Sequence, residues 1–337
     1  MNLGAGKNRW MPCLMNFNLL LAWQMPLLLR WEDQIRFMEQ PEIKYFDRHL
    51  GKIRSEKVYG DKWLKRIYGN PLGKLTLWCM VKRLWFSRWY GKRMDAKSSR
   101  DRIKPFIRNF ELQEEEFLEP AENFRTFNEF FYRKLKPESR PIASSATEAI
   151  FPADGRHLGF QKLDDLDGVF VKGQTFDLPR LFGSKEKAAS FEGGSLVLSR
   201  LCPVDYHRFH FPAAGMASSP ELIEGCLSSV NPIALRLKLA ILWENKRNLS
   251  FIDSEHFGRI ACFEIGATCV GSMNYTKSLP GKVAKGDEKG FFSFGGSSLI
   301  TLFQSGRIAL AEDLLEHSSQ QREVYAKMGS SMGSKSA

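Results

Sequence analysis

Phe263, Ile265, Ala267 and Cys269 alternate with Glu264, Gly266 and Thr268 in the segment "RIACFEIGATCVGSM", and this period of two predicts a half-buried strand. The blocks "GGSLVLSRL" and "LITLF" follow glycines and also read as strands. Such runs, separated by Gly-rich turns, extend from about residue 145 to 305. From about residue 40 to 135 the spacing is instead helical, as in Leu77, Met80, Val81 and Leu84. The acidic stretch "ELQEEEFLEPAE" reads as a solvated helix face. After "GRIALAEDLL" the tail "SSQQREVYAKMGSSMGSKSA" turns small and polar and is expected to fray. The pattern predicts an α+β protein, a helical N-terminal region followed by a mostly antiparallel β core. Its expected divisions are 1–37, an apolar extension; 38–144, helical; 145–312, β-rich; and 313–337, a polar tail.

Composition changes the picture mainly through charge. A hydrophobic fraction of 43% and an aromatic fraction of 12% argue against disorder. The net charge of +11 calls for an anionic partner, either nucleic acid or an acidic membrane surface. Residues 61–100 hold eleven Lys and Arg against two Asp, together with Trp63, Trp78, Trp85 and Trp89 of the eight tryptophans. Basic residues and Trp on amphipathic helices are the composition of an interfacial membrane binder, and a helical, membrane-facing region is expected here. Helices that pack on the domain with a solvated basic face fit equally well. No zinc-finger spacing, RNP-type motif or helix-turn-helix pattern occurs, so nucleic acid is not the expected partner.

Six cysteines stand without CxxC spacing, which suggests neither a zinc site nor a disulfide framework and favours a reducing compartment. The segment "WMPCLMNFNLLLAWQMPLLLRW" is interrupted by Asn16, Asn18, Gln24 and two prolines. A clean membrane span needs about 20 mostly apolar residues. It reads as a weak anchor or signal-like segment, or as sequence ahead of a true start at Met38.

Candidate chemistry concentrates in the β zone. "LCPVDYHRFHFP" carries His207 and His210, two of six histidines, and a general base with a general acid is their functional reading. A structural pair of histidines fits as well, and no third ligand with metal-binding spacing accompanies them. Asp154 sits in the Pro-to-Gly turn of "FPADGR", where an Asx turn would explain it and an Asp that orients a histidine is the alternative. Ser297 lies in "FSFGGSSLITLF", where Gly-Gly-Ser-Ser precedes an apolar run. A hairpin turn is its plain explanation.

Taken together, "FNEFFYRKLKPESRPI", "FPADG", "VKGQTFDLPRLFG", "RLCPVDYHRFHFPAAG", "EIGATCVGSM" and "KGDEKGFFSFGGSSLITLF" resemble, in order and spacing, the blocks of the phosphatidylserine decarboxylases, over roughly residues 40 to 312. The common self-cleaving motif of that family is Leu-Gly-Ser-Thr. Gly295-Gly296-Ser297-Ser298 departs from it at its first and fourth positions, which bears on the rate of processing. The resemblance implies an Asp154, His210 and Ser297 triad that cuts the chain between Gly296 and Ser297 and converts Ser297 to a covalent pyruvoyl (pyruvate-derived) cofactor. It implies a heterodimer of the chain's own β and α fragments, with higher oligomers open, and no metal. It further implies a Schiff base with phosphatidylserine, loss of CO2 to give phosphatidylethanolamine, and His207 as proton donor. An anionic membrane would be the partner, with the protein peripheral on the cytoplasmic face of the cell membrane. A pyruvoyl-dependent decarboxylase of a free amino acid, and a membrane-binding relative that no longer processes, are the alternatives. A serine hydrolase is disfavoured, because Gly-Gly-Ser-Ser is not a nucleophile elbow.

Overall fold

The computed structural model describes residues 43–56, 84–166, 176–228, 230, 235, 239–267, 273–294 and 297–336. All belong to one compact unit, residues 43–59 with 75–337. The apolar N-terminal stretch, Trp63 and Trp78 of the basic segment, Thr268, Cys269, Gly295 and Gly296 lie outside the described residues.

The described chain opens with strands where helix was expected. β1 (Lys44–Asp47) and β2 (Lys52–Ser55) form an antiparallel hairpin. Asp47 sets its turn: Oδ1 accepts from the amides of His49 and Leu50, both at 3.1 Å, and Gly51 supplies a φ of 63°. Helices then follow, α1 (Leu84–Asp95), α2 (Ile103–Phe110) and α3 (Phe127–Phe131). The last two pack with Phe117, Phe124 and Phe294 in one aromatic cluster. The acidic stretch makes only short 3-10 turns, Glu114–Glu116 and Ala121–Asn123. It is not simply a solvated face, because Glu116 pairs with Arg140 at 3.0 Å and Lys327 at 2.9 Å.

Beyond residue 145 come β3 (Glu148–Ile150), β4 (Gly155–Phe160), α4 (Leu178–Phe182), α5 (Lys185–Ala189), β5 (Ser195–Leu201) and β6 (Arg208–His210). Next are β7 (Gly215–Ala217), β8 (Glu221–Ile223), α6 (Ile241–Glu244), β9 (Arg247–Ser254), β10 (Gly258–Gly266) and β11 (Met273–Tyr275). The chain ends with β12 (Gly281–Val283), β13 (Glu288–Phe292), β14 (Ser297–Phe303), β15 (Ile308–Leu310), α7 (Glu312–Ser319), β16 (Glu323–Ala326) and β17 (Ser331–Lys335).

Among the described residues, eleven strands form one sheet in the order β12-β7-β9-β10-β14-β5-β4-β16-β1-β2, with β8 on β9. Two three-stranded sheets, β11-β13-β6 and β15-β17-β3, accompany it. Every pairing of these strands is antiparallel except β1 with β16, so the β core is mostly antiparallel as expected.

β14 is central and buried along its whole length. Ile300 and Leu302 join one cluster with Phe182, Phe191 and Phe263, whereas Leu299 joins Ala153, Leu201, Phe209 and Phe292. Two covered faces explain why "LITLF" is a run rather than an alternation. β10 likewise departs from the half-buried expectation. Its Glu264 is 2% exposed and accepts from Lys289 Nζ at 2.6 Å and Tyr275 Oη at 2.7 Å, so a buried ion pair stands where a wet face was read.

The C-terminal tail is not frayed. β16 lies between β4 and β1, β17 lies between β15 and β3, and Val324, Ala326 and Met332 are wholly buried. Small residues serve close approach there: a Cβ on Gly333 would sit 2.5 Å from the carbonyl oxygen of Ala309. No helix among the described residues is long and apolar enough to cross a membrane. The membrane-facing reading of the basic segment falls largely outside the described residues.

Candidate functional site

Ser297 opens β14, facing Leu201 of β5 on one side and Gly266 of β10 on the other. Its side chain is wholly buried, and Oγ has no hydrogen-bond partner among the described residues. An enclosed hydroxyl left this way is unusual, since buried polar groups are nearly always paired. The strand fixes its position and leaves its chemistry open.

His210 ends β6. Its amide donates to the carbonyl of Pro152 at 2.8 Å, which ties it to the turn that carries Asp154. Nδ1 lies 2.9 Å from the carbonyl oxygen of Gly286 and Nε2 lies 3.3 Å from Tyr206 Oη. A carbonyl only accepts, so Nδ1 carries the proton and Nε2 is the basic nitrogen. Burial lowers the pKa of His210 below 6.5, against the opposing pull of the Gly286 bond and the charges of Glu288 and Asp154. The ring is neutral at pH 7.

Asp154 is 1% exposed and held from two sides. Arg140 donates from Nε at 2.9 and 3.0 Å and from Nη2 at 2.6 Å, and the Met328 amide donates at 2.9 Å. Despite the opposing effect of burial, the charges and hydrogen bonds of Asp154 and Glu116 raise the Arg140 pKa above its ordinary value. Met328 belongs to the C-terminal tail, so the tail contributes directly to the site.

His207 lies just ahead of β6 and is wholly buried. Its Nδ1 is 2.9 Å from the Asp205 carbonyl, and its ring centroid is 3.8 Å from that of Phe131. Phe131 also meets Phe294 at 4.8 Å, and the Phe292 amide donates to the His207 carbonyl at 2.9 Å. His207 is therefore bound to the segment that runs into Ser297.

One small apolar cluster underlies these residues. It contains Ala153, adjacent to Asp154; Phe209, adjacent to His210; Phe292; and Leu201, the cross-strand partner of Ser297. The fold thus gathers four residues spread from position 154 to position 297 into one neighbourhood. Among the described residues no hydrogen bond joins Asp154 to His210 or His210 to Ser297; Arg140 and Gly286 take those places. Arg140, Tyr206 and Glu116 were not singled out from sequence. Arg140 does stand in the block "FNEFFYRKLKPESRPI", where its distance from Asp154 along the chain is short.

The family model described as phosphatidylserine decarboxylase matches residues 127–334, which run from α3 into β17 and include Arg140, Asp154, Tyr206, His207, His210 and Ser297. A phosphatidylserine decarboxylase proenzyme of Fusobacterium nucleatum is 40% identical over 296 residues, covering 88% of this chain and 99% of that protein. The proenzyme of Clostridium novyi is 42% identical over 293 residues, covering 87% and 99%, and that of Chlamydia muridarum 40% identical over 296 residues, covering 88% and 98%. The chain belongs to the phosphatidylserine decarboxylase family.

Proposed function

We propose that this chain is a proenzyme that cuts itself between Gly296 and Ser297 and then decarboxylates phosphatidylserine to phosphatidylethanolamine. The observation that carries the reading is the buried Ser297 hydroxyl, which like that of Ser298 has no partner among the described residues, at the first position of a central strand, in a chain 40% identical to a proenzyme of this family over 88% of its length.

His210 is the base of the cleavage, because the Gly286 bond makes Nε2, which faces the Tyr206 hydroxyl at 3.3 Å, the acceptor nitrogen. It takes the Ser297 proton, and Oγ adds to the Gly296 carbonyl carbon. The amide bond breaks as an ester forms, and the nitrogen recovers a proton. Asp154, fixed by Arg140 and the Met328 amide, supplies negative charge that favours the imidazolium. Loss of the Ser297 α-proton then expels the Gly296 carboxylate. Addition of water and release of ammonia leave the pyruvoyl group on the small chain.

The surroundings of Ser297 fit that group, since its position is enclosed and its Oγ has no hydrogen-bond partner among the described residues. A pyruvoyl group supplies an electron sink for the pair left when CO2 departs. β10 and β5 hold its carrier strand on both edges after the cut. His207 delivers the proton to the carbon that lost CO2, a role worth ~10²–10⁴ in rate. The protein works on the cytoplasmic face of an anionic membrane. On α1, Trp89 is 47% exposed beside Arg93, whose guanidinium lies 5.2 Å from the indole, an arrangement suited to headgroup depth.

Purified protein incubated with phosphatidylserine vesicles, and separately with free amino acids, tests the substrate. Formation of phosphatidylethanolamine from vesicles alone is expected. Turnover confined to a free amino acid would contradict the lipid reading.

A further inference from the structure

A cavity of about 340 Å³ opens between the β1–β2 hairpin, the segment after α2 and the loop 204–206. Asp154 and Tyr206 reach its wall, whereas Ser297 and His207 do not line it. Among the described residues, five Lys or Arg and five Asp or Glu side chains line it, and nearly all of its cations are committed, Arg54 to Asp47 among them. Arg140 is paired with Asp154 and Glu116, Arg156 with Asp205 and Glu56, and Lys327 with Glu116.

Arg133 is the exception. It lines the cavity and is 5% exposed, yet no carboxylate among the described residues pairs with it. Its Nη1 and Nη2 reach only the carbonyls of Phe130 and Val204, at 3.4 and 3.5 Å, and Nε has no partner. The guanidinium lies over the rings of Phe117 and Phe130, at 4.8 and 4.9 Å, which orient it without neutralising it. Burial pulls its pKa down to about 10, the nearby acids opposing this, so it stays charged at pH 7. A buried cation is ordinarily paired or ligand-bound, and a guanidinium fork matches a phosphate or carboxylate.

We propose that this cavity binds the oxoanion of a phosphate or phosphodiester, with the Arg133 guanidinium, which no carboxylate among the described residues pairs, as its ligand. The choice of a phosphodiester source rests on the proposed lipid substrate. The buried guanidinium without an ion-pair partner among the described residues does not.

The test is the melting temperature of the full wild-type chain, titrated at constant ionic strength with inorganic phosphate or with glycerophosphoethanolamine, against chloride as control. Neither probe has a carboxylate to lose. A bound anion raises the melting point progressively with concentration above its dissociation constant. That rise is expected in wild type and should vanish in Arg133→Met, which keeps the contacts with the two rings and should melt no lower than wild type in chloride. A response to phosphate alone assigns the site to free phosphate, and one to the diester assigns it to a head group. Either supports the site. Equal rises in wild type and Arg133→Met, or none in either, would overturn it. Should Arg133→Met not fold, Arg133→Lys decides, because a weakened response supports the fork and an unchanged one refutes it. Loss of lipid turnover with the anion response intact would strike the substrate reading only.

Discussion

His210 donates from Nδ1 to the Gly286 carbonyl at 2.9 Å, and that single bond makes Nε2 the nitrogen able to accept a proton. Burial lowers the His210 pKa below 6.5, so the neutral base persists at pH 7. Self-cleavage by a chain synthesised in a cell-free system should therefore rise with pH to a plateau and reach half of its maximal rate below pH 6.5. A half-point above 6.5 would contradict this. The fold is linked to the same group: below pH 6.5 the unfolded imidazole takes up a proton that the buried ring resists, so stability falls with falling pH in that window.

Arg140 and Asp154 are both buried, and each needs the other. Arg140→Met leaves the carboxylate with the Met328 amide alone, and breaking such a pair costs about 3–5 kcal/mol. The urea midpoint should drop and processing should fail. An unchanged midpoint with normal cutting would show that Asp154 does not depend on this clamp.

Much of this was legible in the sequence, and the remainder was hidden for physical reasons. Strands such as "LITLF" announce themselves, because a run covered on both faces is apolar throughout. The candidate residues were recognisable by their blocks, yet their partners were not. Nothing in the order of residues reveals that Arg140 takes the Asp154 carboxylate, although the two are near in the chain, or that Gly286, 76 residues from His210, takes its Nδ1, because both contacts depend on how the strands and loops fold. The tail misled for another reason: its strands are short, and its small residues, such as Gly333, are there to let backbones approach. The hairpin at residue 44 was masked by a helical trend around it, although Asp47 and Gly51 mark its turn.

The tail holds the fold together and reaches the site, so a chain ending at Gln320 should fail. It loses β16 from between β4 and β1, the burial of Val324, Ala326 and Met332, and the Met328 amide. A fully buried side chain such as Val324 or Met332 contributes about 1.5–3 kcal/mol. Cooperative thermal unfolding and self-cleavage should both disappear. A truncated chain that unfolds cooperatively and cuts normally would return the tail to the status of an ornament.

His207 and His210 are three residues apart but differ in their attachments, one packed on Phe131 and the other bonded to Gly286. His207→Ala should still cut, while turning over phosphatidylserine ~10²–10⁴ more slowly. His210→Ala should remain uncut. A gel and a phosphatidylethanolamine assay on the same preparations separate the two roles, and a fully active His207→Ala protein would assign the proton delivery elsewhere.

The most direct measurement is the intact mass of the expressed protein beside its Ser297→Ala variant. Two chains are expected from the wild type, one ending at Gly296 and one comprising residues 297–337, the latter lighter by one ammonia than a chain that begins with serine. The variant should give a single full-length mass with the same circular dichroism. Cleavage at the same bond in Ser297→Ala, or a small chain that retains an N-terminal serine, would contradict the claim that Ser297 makes the cut and becomes the cofactor.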